Sequence, residues 1–283
     1  MSRVDVAITC YNYARFLRPC VESVLSQSHR DCRVLILDDA STDETPALGA
    51  ALAGEDDRVH FLRHPENLGH VATYNDAIRR AEGDYFLVMS ADDLLLPGAL
   101  ARAVATLDRQ PEIGLVIGAW TRDVSGKPDG SPAPSRSPGL LDPATFIWDL
   151  VLDNRVATAT AIARTTVQKQ LGGYLPALPH SGDMEMWLRF ALNSRVVYVD
   201  ALQAVYRLHE TSMSHNYSGL DDFEQRVVAI TMHLRKIRSI PGYGPALARR
   251  IRRRLMRLSI SWAGVALRKG QFGRALSVLA NVM

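Results

Sequence analysis

The first 120 residues alternate short, unbroken apolar runs with stretches of helical spacing. The runs are Val4 to Ile8, Val34 to Leu37, Val59 to Leu62, Tyr85 to Met89 and Leu115 to Ala119. Continuous rather than alternating apolar character suits strands covered on both faces, as in a parallel sheet. Between them the spacing predicts helices over 16–27, 42–53, 70–81 and 97–108. Ser41 and Thr42 offer caps for the second, and Pro97 an early position in the fourth. Strand and helix at this rhythm predict an α/β chain with a doubly wound, mostly parallel twisted sheet and helices on both faces.

Beyond residue 120 the pattern loosens. From Asp123 to Gly139 the chain is rich in Gly, Pro and Ser, the composition of a linker or an active-site lid. Asp142 and Pro143 then open a helix, Thr158 to Ala163 reads as a strand, Asp183 to Leu192 as a helix and Val196 to Val199 as a last strand. From Asp221 onward the pattern is helical, broken at Pro241-Gly242-Tyr243-Gly244-Pro245, and Leu267 to Leu279 has the cadence of a helical hairpin.

Composition narrows the class. With 283 residues, 47% hydrophobic and 22% charged, the chain is neither disordered nor a disulfide mini-protein. Cys10, Cys20 and Cys32 form no C-x-x-C pair and read as reduced thiols, which implies a cytoplasmic setting. The N-terminus runs directly into a strand, so no leader is expected, and no apolar stretch is long enough to span a bilayer.

The formal charge of +3 hides an asymmetry. From Leu234 to Met283 there are twelve Arg or Lys and no acid, which leaves −9 for residues 1–233. Leu247, Ile251, Leu255, Leu258 and Trp262 form one helical stripe, and six arginines between Arg249 and Arg257 occupy the remaining surface. Two readings follow: residues 246–262 lie on an anionic membrane surface as an interfacial helix, or the stripe packs on the rest of the protein. Nucleic acid is not an expected partner, because no recognised nucleic-acid module accompanies the charge.

Ligands of parallel sheets gather at the carboxyl ends of strands. Those ends read Thr9-Cys10-Tyr11-Asn12 after the first strand, Asp38-Asp39 after the second and Ser90-Ala91-Asp92-Asp93 after the fourth. Each Asp pair alone is an ordinary turn or cap. Two pairs on neighbouring strands repel unless a cation or ligand donors offset them. Oxygen donors suit Mg2+ or Mn2+ shared with substrate phosphates, hence a nucleoside diphosphate. Neither G-x-G-x-x-G after the first strand nor G-x-x-x-x-G-K-[ST] anywhere is present, against a dinucleotide dehydrogenase or a P-loop ATPase.

Several segments in order carry a resemblance: ITCYNYARFL from Ile8, SVLSQS from Ser23, LILDDASTDET from Leu35, and NLGHVATYNDAIRRAEGDYFLVMSADD from Asn67. LGGY from Leu171, GDMEMWLRFA from Gly182 and YRLHETSMS from Tyr206 continue it. Together they resemble the family 2 glycosyltransferases of GT-A fold, in particular spore-coat-type and surface-polysaccharide members. The resemblance implies a catalytic domain over 1–220, its nucleotide-binding half at about 1–120 and its acceptor half at about 121–220, with 221–283 as a basic helical appendage.

It further implies that Thr9, Tyr11 and Asn12 line the nucleotide pocket, with Tyr11 near the base. Asp39 would accept from the pyrimidine ring, and Asp38 would support that loop. Asn67, Gly69 and Asn75 would close the base and ribose side. Ala91 and Asp92 belong to the family's D-x-D element, with Asp92 holding Mn2+ or Mg2+, Asp93 beside it and His209 a further metal or diphosphate contact. Asp183 would be the catalytic base; read without the resemblance, it is equally an N-cap. Trp187 and Arg189 read as packing and ion-pairing residues, His180 as an acceptor-side candidate, and Trp120 and Trp148 as core residues or, alternatively, as flanks of a sugar. Three positions depart from the family pattern: Ser90 replaces the first D-x-D aspartate, Tyr74 a frequent arginine, and Gly182 a common glutamate.

The expected activity is inverting transfer from a UDP- or dTDP-sugar to a hydroxyl of a saccharide, lipid-linked or small-molecule acceptor, in the cytoplasm or peripherally on the inner membrane face. The rivals are a degenerate nucleotide-binding subunit of a glycan-assembly complex, which Ser90 supports slightly and the retained Asp39, Asp92 and Asp183 oppose, and a sugar nucleotidyltransferase, which would want a Gly-rich basic loop after the first strand.

Overall fold

A computed structural model describes residues 2–124, 127–132, 137–210, 212 and 219–280. Its strands are β1 (Val4–Cys10), β2 (Cys32–Asp38), β3 (Val59–Arg63), β4 (Tyr85–Ser90), β5 (Leu94–Leu95), β6 (Ile113–Val124), β7 (Lys127–Pro132), β8 (Gly139–Leu140), β9 (Ile162–Arg164) and β10 (Arg195–Leu208). The helices are α1 (Ala14–Leu25), α2 (Thr45–Glu55), α3 (His70–Arg80), α4 (Ala99–Arg109), α5 (Pro143–Leu152), α6 (Thr165–Leu171), α7 (Gly182–Asn193), α8 (Leu220–Thr231), α9 (Leu234–Arg238), α10 (Gly244–Arg268) and α11 (Phe272–Ala280).

One ten-stranded sheet runs β3-β2-β1-β4-β9-β6-β10-β5, with β7 on β6 and β8 on β10. The β3-β2-β1-β4 block and the β6-β10 pair are parallel, as the unbroken apolar runs predict. Because the order reverses between β3 and β4, right-handed crossovers place α1 and α2 on one face and α3 on the other. Val6, Ile8, Val34, Ile36, Leu87 and Met89 are buried under Leu17, Val21, Leu100 and Leu107, each side chain contributing about 1.5–3 kcal/mol by leaving water. The three cysteines are free and buried, and burial pushes the Cys10 and Cys20 thiols well up.

Several boundaries differ from the pattern's prediction. Helix α2 begins at Thr45, not at a Ser41 or Thr42 cap: the Ser41 hydroxyl accepts from Asn12 N at 2.8 Å, and Thr42 N donates to Asn12 Oδ1 at 2.8 Å. Pro97 lies outside α4, because Gly98 at the cap holds a left-handed backbone (φ 80°) that a right-handed helix cannot continue through. Lys127–Pro132, read as loop, is a strand that pairs with β6, an edge position that tolerates proline; residues 125–126 and 133–136 of that loop lie outside the described residues. Thr158–Thr160 is a 3-10 turn before β9. Asp142 does cap α5, accepting from Thr145 N at 2.9 Å.

The chain forms two compact units that interleave along the sequence rather than follow one another. The first holds 1–141, 155–176 and 194–209, and the second 142–154, 177–193 and 210–283. Within the second, α5, α7, α8 and α10 bury Phe146, Trp187, Phe223, Ile251 and Leu255. Phe223 stacks on Trp262, the last residue of the apolar stripe, with ring centres 5.7 Å apart. Among the described residues no helix is long and apolar enough to cross a membrane.

Candidate active site

Register brings three strand ends level. Cys10 pairs with Asp38, Thr9 with Ser90 and Asp38 with Arg63, so the polar residues after β1, β2 and β4 share one sheet edge. Thr9 is buried with its carbonyl accepting from Ala91 N at 3.0 Å, while Tyr11 is 44% exposed. Asn12 holds φ at 58° and spends its side-chain oxygen on the Thr42 amide, tying β1's end to the β2–α2 loop.

The two aspartates after β2 are buried and do different things. Asp38 accepts from Ser41 N at 3.0 Å and faces Arg63 Nε at 3.2 Å. Asp39 takes Leu68 N at 2.9 Å and His64 Nδ1 at 2.8 Å on one oxygen, and Gly69 N at 2.8 Å on the other. An ionised carboxylate only accepts, so His64 carries its proton on Nδ1. Asn67 Oδ1 shares the Gly69 amide at 3.0 Å, and Gly69 (φ 83°) starts α3. Asp39 therefore draws Leu68 and Gly69, beside Asn67, to the sheet edge.

Strand β3 adds two residues that the reading of the other strand ends did not foresee: its last residue Arg63 and the following His64 reach Asp38 and Asp39. His64 Nε2 also lies 3.5 Å from Asp76. Burial pushes the Asp76 carboxyl up, but hydrogen bonds from Arg80 and Arg79 more than offset this and hold it low. The signal was in the sequence, a basic residue and a histidine at a parallel strand's carboxyl end.

Asn75, expected on the base and ribose side, is engaged within the protein. Both ends of its amide are committed to Tyr174, donating to its carbonyl at 2.9 Å and accepting from its N–H at 2.6 Å. It braces the LGGY segment through Tyr174. Tyr74 packs edge-on against Tyr174 at 5.2 Å.

After β4, Asp92 and Asp93 are buried. Asp92 Oδ2 lies 3.1 Å from His209 Nε2, at the end of β10. The imidazole is held between Phe16 (4.5 Å between ring centres) and Tyr13 (5.5 Å). Burial, with Asp92 and Asp93 adding, pushes the Tyr13 phenol strongly up, so it stays protonated. Asp93 Oδ1 accepts from Arg207 N at 3.2 Å and so helps anchor β10. Thr211, Met213 and Ser214, which end the YRLHETSMS segment, lie outside the described residues. Among the described residues no three His, Cys, Asp or Glu side chains form a metal cage. The pair Asp92 and His209 nevertheless fits a divalent ion: cis ligands of an octahedral ion at about 2.1 Å stand about 3 Å apart, and Mg2+-like ions complete their shell with water and phosphate oxygens.

In the second unit, Asp183 lies in the first turn of α7, one residue inside rather than at its cap, where the helix dipole favours an anion. The same helix holds a buried Glu185 that pairs with Arg189 at 2.7 Å and His233 at 2.8 Å. Trp187 is buried, as expected. His180 N donates to Gln225 at 2.8 Å, and burial pushes up the neighbouring Asp222 carboxyl. Trp120 and Trp148 are not core: each is half-buried beneath an arginine, Arg122 at 5.9 Å and Arg250 at 3.8 Å.

The family model described as glycosyl transferase family 2 matches residues 5–166, more than half of the chain. The chain belongs to this family and is a glycosyltransferase. EpsE of Bacillus subtilis, a putative glycosyltransferase, is 28% identical over 215 residues, covering 74% of each chain. Among solved structures, S. aureus TarS 1–349 in complex with UDP-GlcNAc superposes with a TM-score of 0.77 at 19% identity, over 99% of this chain and 82% of that one. The mannosyltransferase PcManGT of Pyrobaculum calidifontis, in complex with GDP-Man and Mn2+, gives 0.62 at 19% identity over 99% and 74%. The fold is GT-A. The family match ends before Asp183, Arg207 and His209.

Proposed function

We propose that the protein transfers a sugar from a UDP- or dTDP-sugar, with inversion and with a divalent cation, to a hydroxyl acceptor in surface polysaccharide or glycan synthesis. The observation that carries this reading is the carboxylate row at the strand ends, with Asp92 and His209 3.1 Å apart. In this reading Thr9, Tyr11, Asn12, Asn67 and Gly69 surround the nucleoside, and Asp39 accepts from the pyrimidine while Asp38 and His64 hold its loop. Ala91 places its backbone beside the diphosphate.

Asp92 and His209 would hold Mn2+ or Mg2+, which supplies positive charge to the leaving diphosphate. Asp183 takes the proton of the acceptor hydroxyl as its oxygen bonds to the anomeric carbon. The bond from that carbon to the diphosphate oxygen breaks, and its electron pair leaves with the nucleoside diphosphate.

The test is a panel of sugar nucleotides with Mn2+ or Mg2+, read as slow donor hydrolysis and as transfer. Asp92→Ala should lose metal-dependent donor binding. Asp183→Asn should bind donor normally yet lose transfer, and turnover unchanged in that variant removes Asp183 from the role. Equal turnover in chelator refutes the metal.

A further inference from the structure

The apolar stripe of α10 is not free to meet a bilayer: Leu247, Ile251 and Leu255 are buried within the second unit. What α10 leaves outside is the flank and far side of the helix, which carry arginines. Arg249, Arg250, Arg253, Arg254 and Arg257 line one cleft of about 570 Å³. From Arg249 to Arg257 they form a ridge about 12 Å long. None of the five makes an ion pair among the described residues. This convergence of like charge persists although residues 1–233 carry a net −9.

The opposite wall is apolar. Trp148 lies under Arg250 at 3.8 Å, and Leu152 beside it is 43% exposed. The arginine face of α10 also continues in apolar residues. Ile260 and Leu267 follow Arg253 by about two and four turns, and both are exposed. On α11, Phe272 and Leu276 are exposed as well. Unpaired guanidiniums recognise phosphate oxygens through forked donors, and an adjoining aromatic and aliphatic wall suits a phosphate attached to an apolar body.

We propose that this face docks on an anionic phospholipid bilayer, with a lipid phosphate seated in the arginine cleft against Trp148 and Leu152. The contact is the reverse of an interfacial helix laid on its apolar stripe: the arginine side faces the membrane, and the stripe stays in the protein.

The experiment is co-sedimentation of the full chain with vesicles of phosphatidylcholine, with and without phosphatidylglycerol, at about 0.15 M salt. The protein should sediment only with phosphatidylglycerol present. Arg253→Ala with Arg257→Ala should weaken partitioning by about thirtyfold, since each basic residue at such a surface contributes about fivefold. Arg253→Lys with Arg257→Lys, which keeps the charge but not the forked donors, should bind between the wild type and the alanine pair, which separates loss of binding from loss of fold. Arg235→Ala with Arg238→Ala on α9, an equal change of charge outside the cleft, should have little effect. An equal loss in that control overturns the cleft in favour of diffuse charge. No sedimentation, with inorganic pyrophosphate instead raising the melting temperature of the wild type but not of the alanine pair, overturns the lipid in favour of a soluble phosphate. No response to either overturns the phosphate site. No arm uses a sugar donor, so the outcome is independent of the proposed reaction.

Discussion

His64→Ala tests whether the loop that follows β3 is held to the sheet edge through Asp39. The substitution removes one of three donors to a buried carboxylate, the 2.8 Å bond from Nδ1, and leaves the Leu68 and Gly69 amides in place. A hydrogen bond to an ionised group contributes about 1.5–3 kcal/mol. Because two donors remain, the expected cost is at the lower end, about 1.5 kcal/mol, or roughly tenfold in an equilibrium constant. In the proposed reading that cost appears in donor binding. Calorimetric titration with nucleoside diphosphate should give roughly tenfold weaker affinity, and steady-state kinetics should show KM for donor rising more than kcat falls. His64→Gln, whose side-chain amide can still donate, should recover part of the affinity. If His64→Ala binds nucleotide and melts like the wild type, Asp39 does not need the imidazole and the latch is wrong.

Two further substitutions probe the scaffold. Asp5 is fully buried and accepts from Arg33 Nε at 3.1 Å and from the Glu82 and Gly83 amides at 2.7 and 2.9 Å. Burial pushes its carboxyl up, but these donors outweigh burial and hold it below its ordinary value. Its stabilisation is therefore present above the unfolded carboxylate value and is lost as pH falls through the lower folded value. Asp5→Asn should cost about 3–5 kcal/mol near neutral pH and flatten the acid limb of the stability profile, read by denaturant melts across pH. Gly173→Ala would drive its new methyl into Asn75 Oδ1, displacing an amide held by two bonds to Tyr174. The expected loss is about 1–3 kcal/mol, and it should shrink in an Asn75→Ala background; an unchanged loss there would mean that the clash lies elsewhere.

The sheet's first four strands and first four helices were legible because parallel strands covered on both faces leave an unbroken apolar signature. The end of the sheet was less so. Strand β10 extends from Arg195 to Leu208, yet only Val196 to Val199 looks like a strand, since Asp200, Gln203 and Arg207 interrupt the apolar run. Strand β7, Lys127–Pro132, carries two prolines and a glycine, and its edge position alone makes that composition acceptable. Asp39 and Asp92 were visible as strand-end carboxylates. The partners His64 and His209 lie 25 and 117 residues away, and no local pattern states which carboxylate a distant histidine meets. The bond from Asn75 to Tyr174 was hidden for the same reason, since Tyr174 lies 99 residues on.

The interleaved units have a consequence for how the chain comes to be folded. The chain passes between units five times, and α7 presents Met184, Met186, Trp187, Leu188 and Phe190 for burial in a unit most of whose helices follow residue 210. During synthesis from the N-terminus, those side chains emerge before α8, which packs on α7, exists to cover them. The second unit can close only when the last helices have been made, so a chain stopped at 220 is an unfinished core and not a trimmed enzyme. Removing the basic tail to test its role would expose that core, which makes point substitution of the arginines the cleaner instrument.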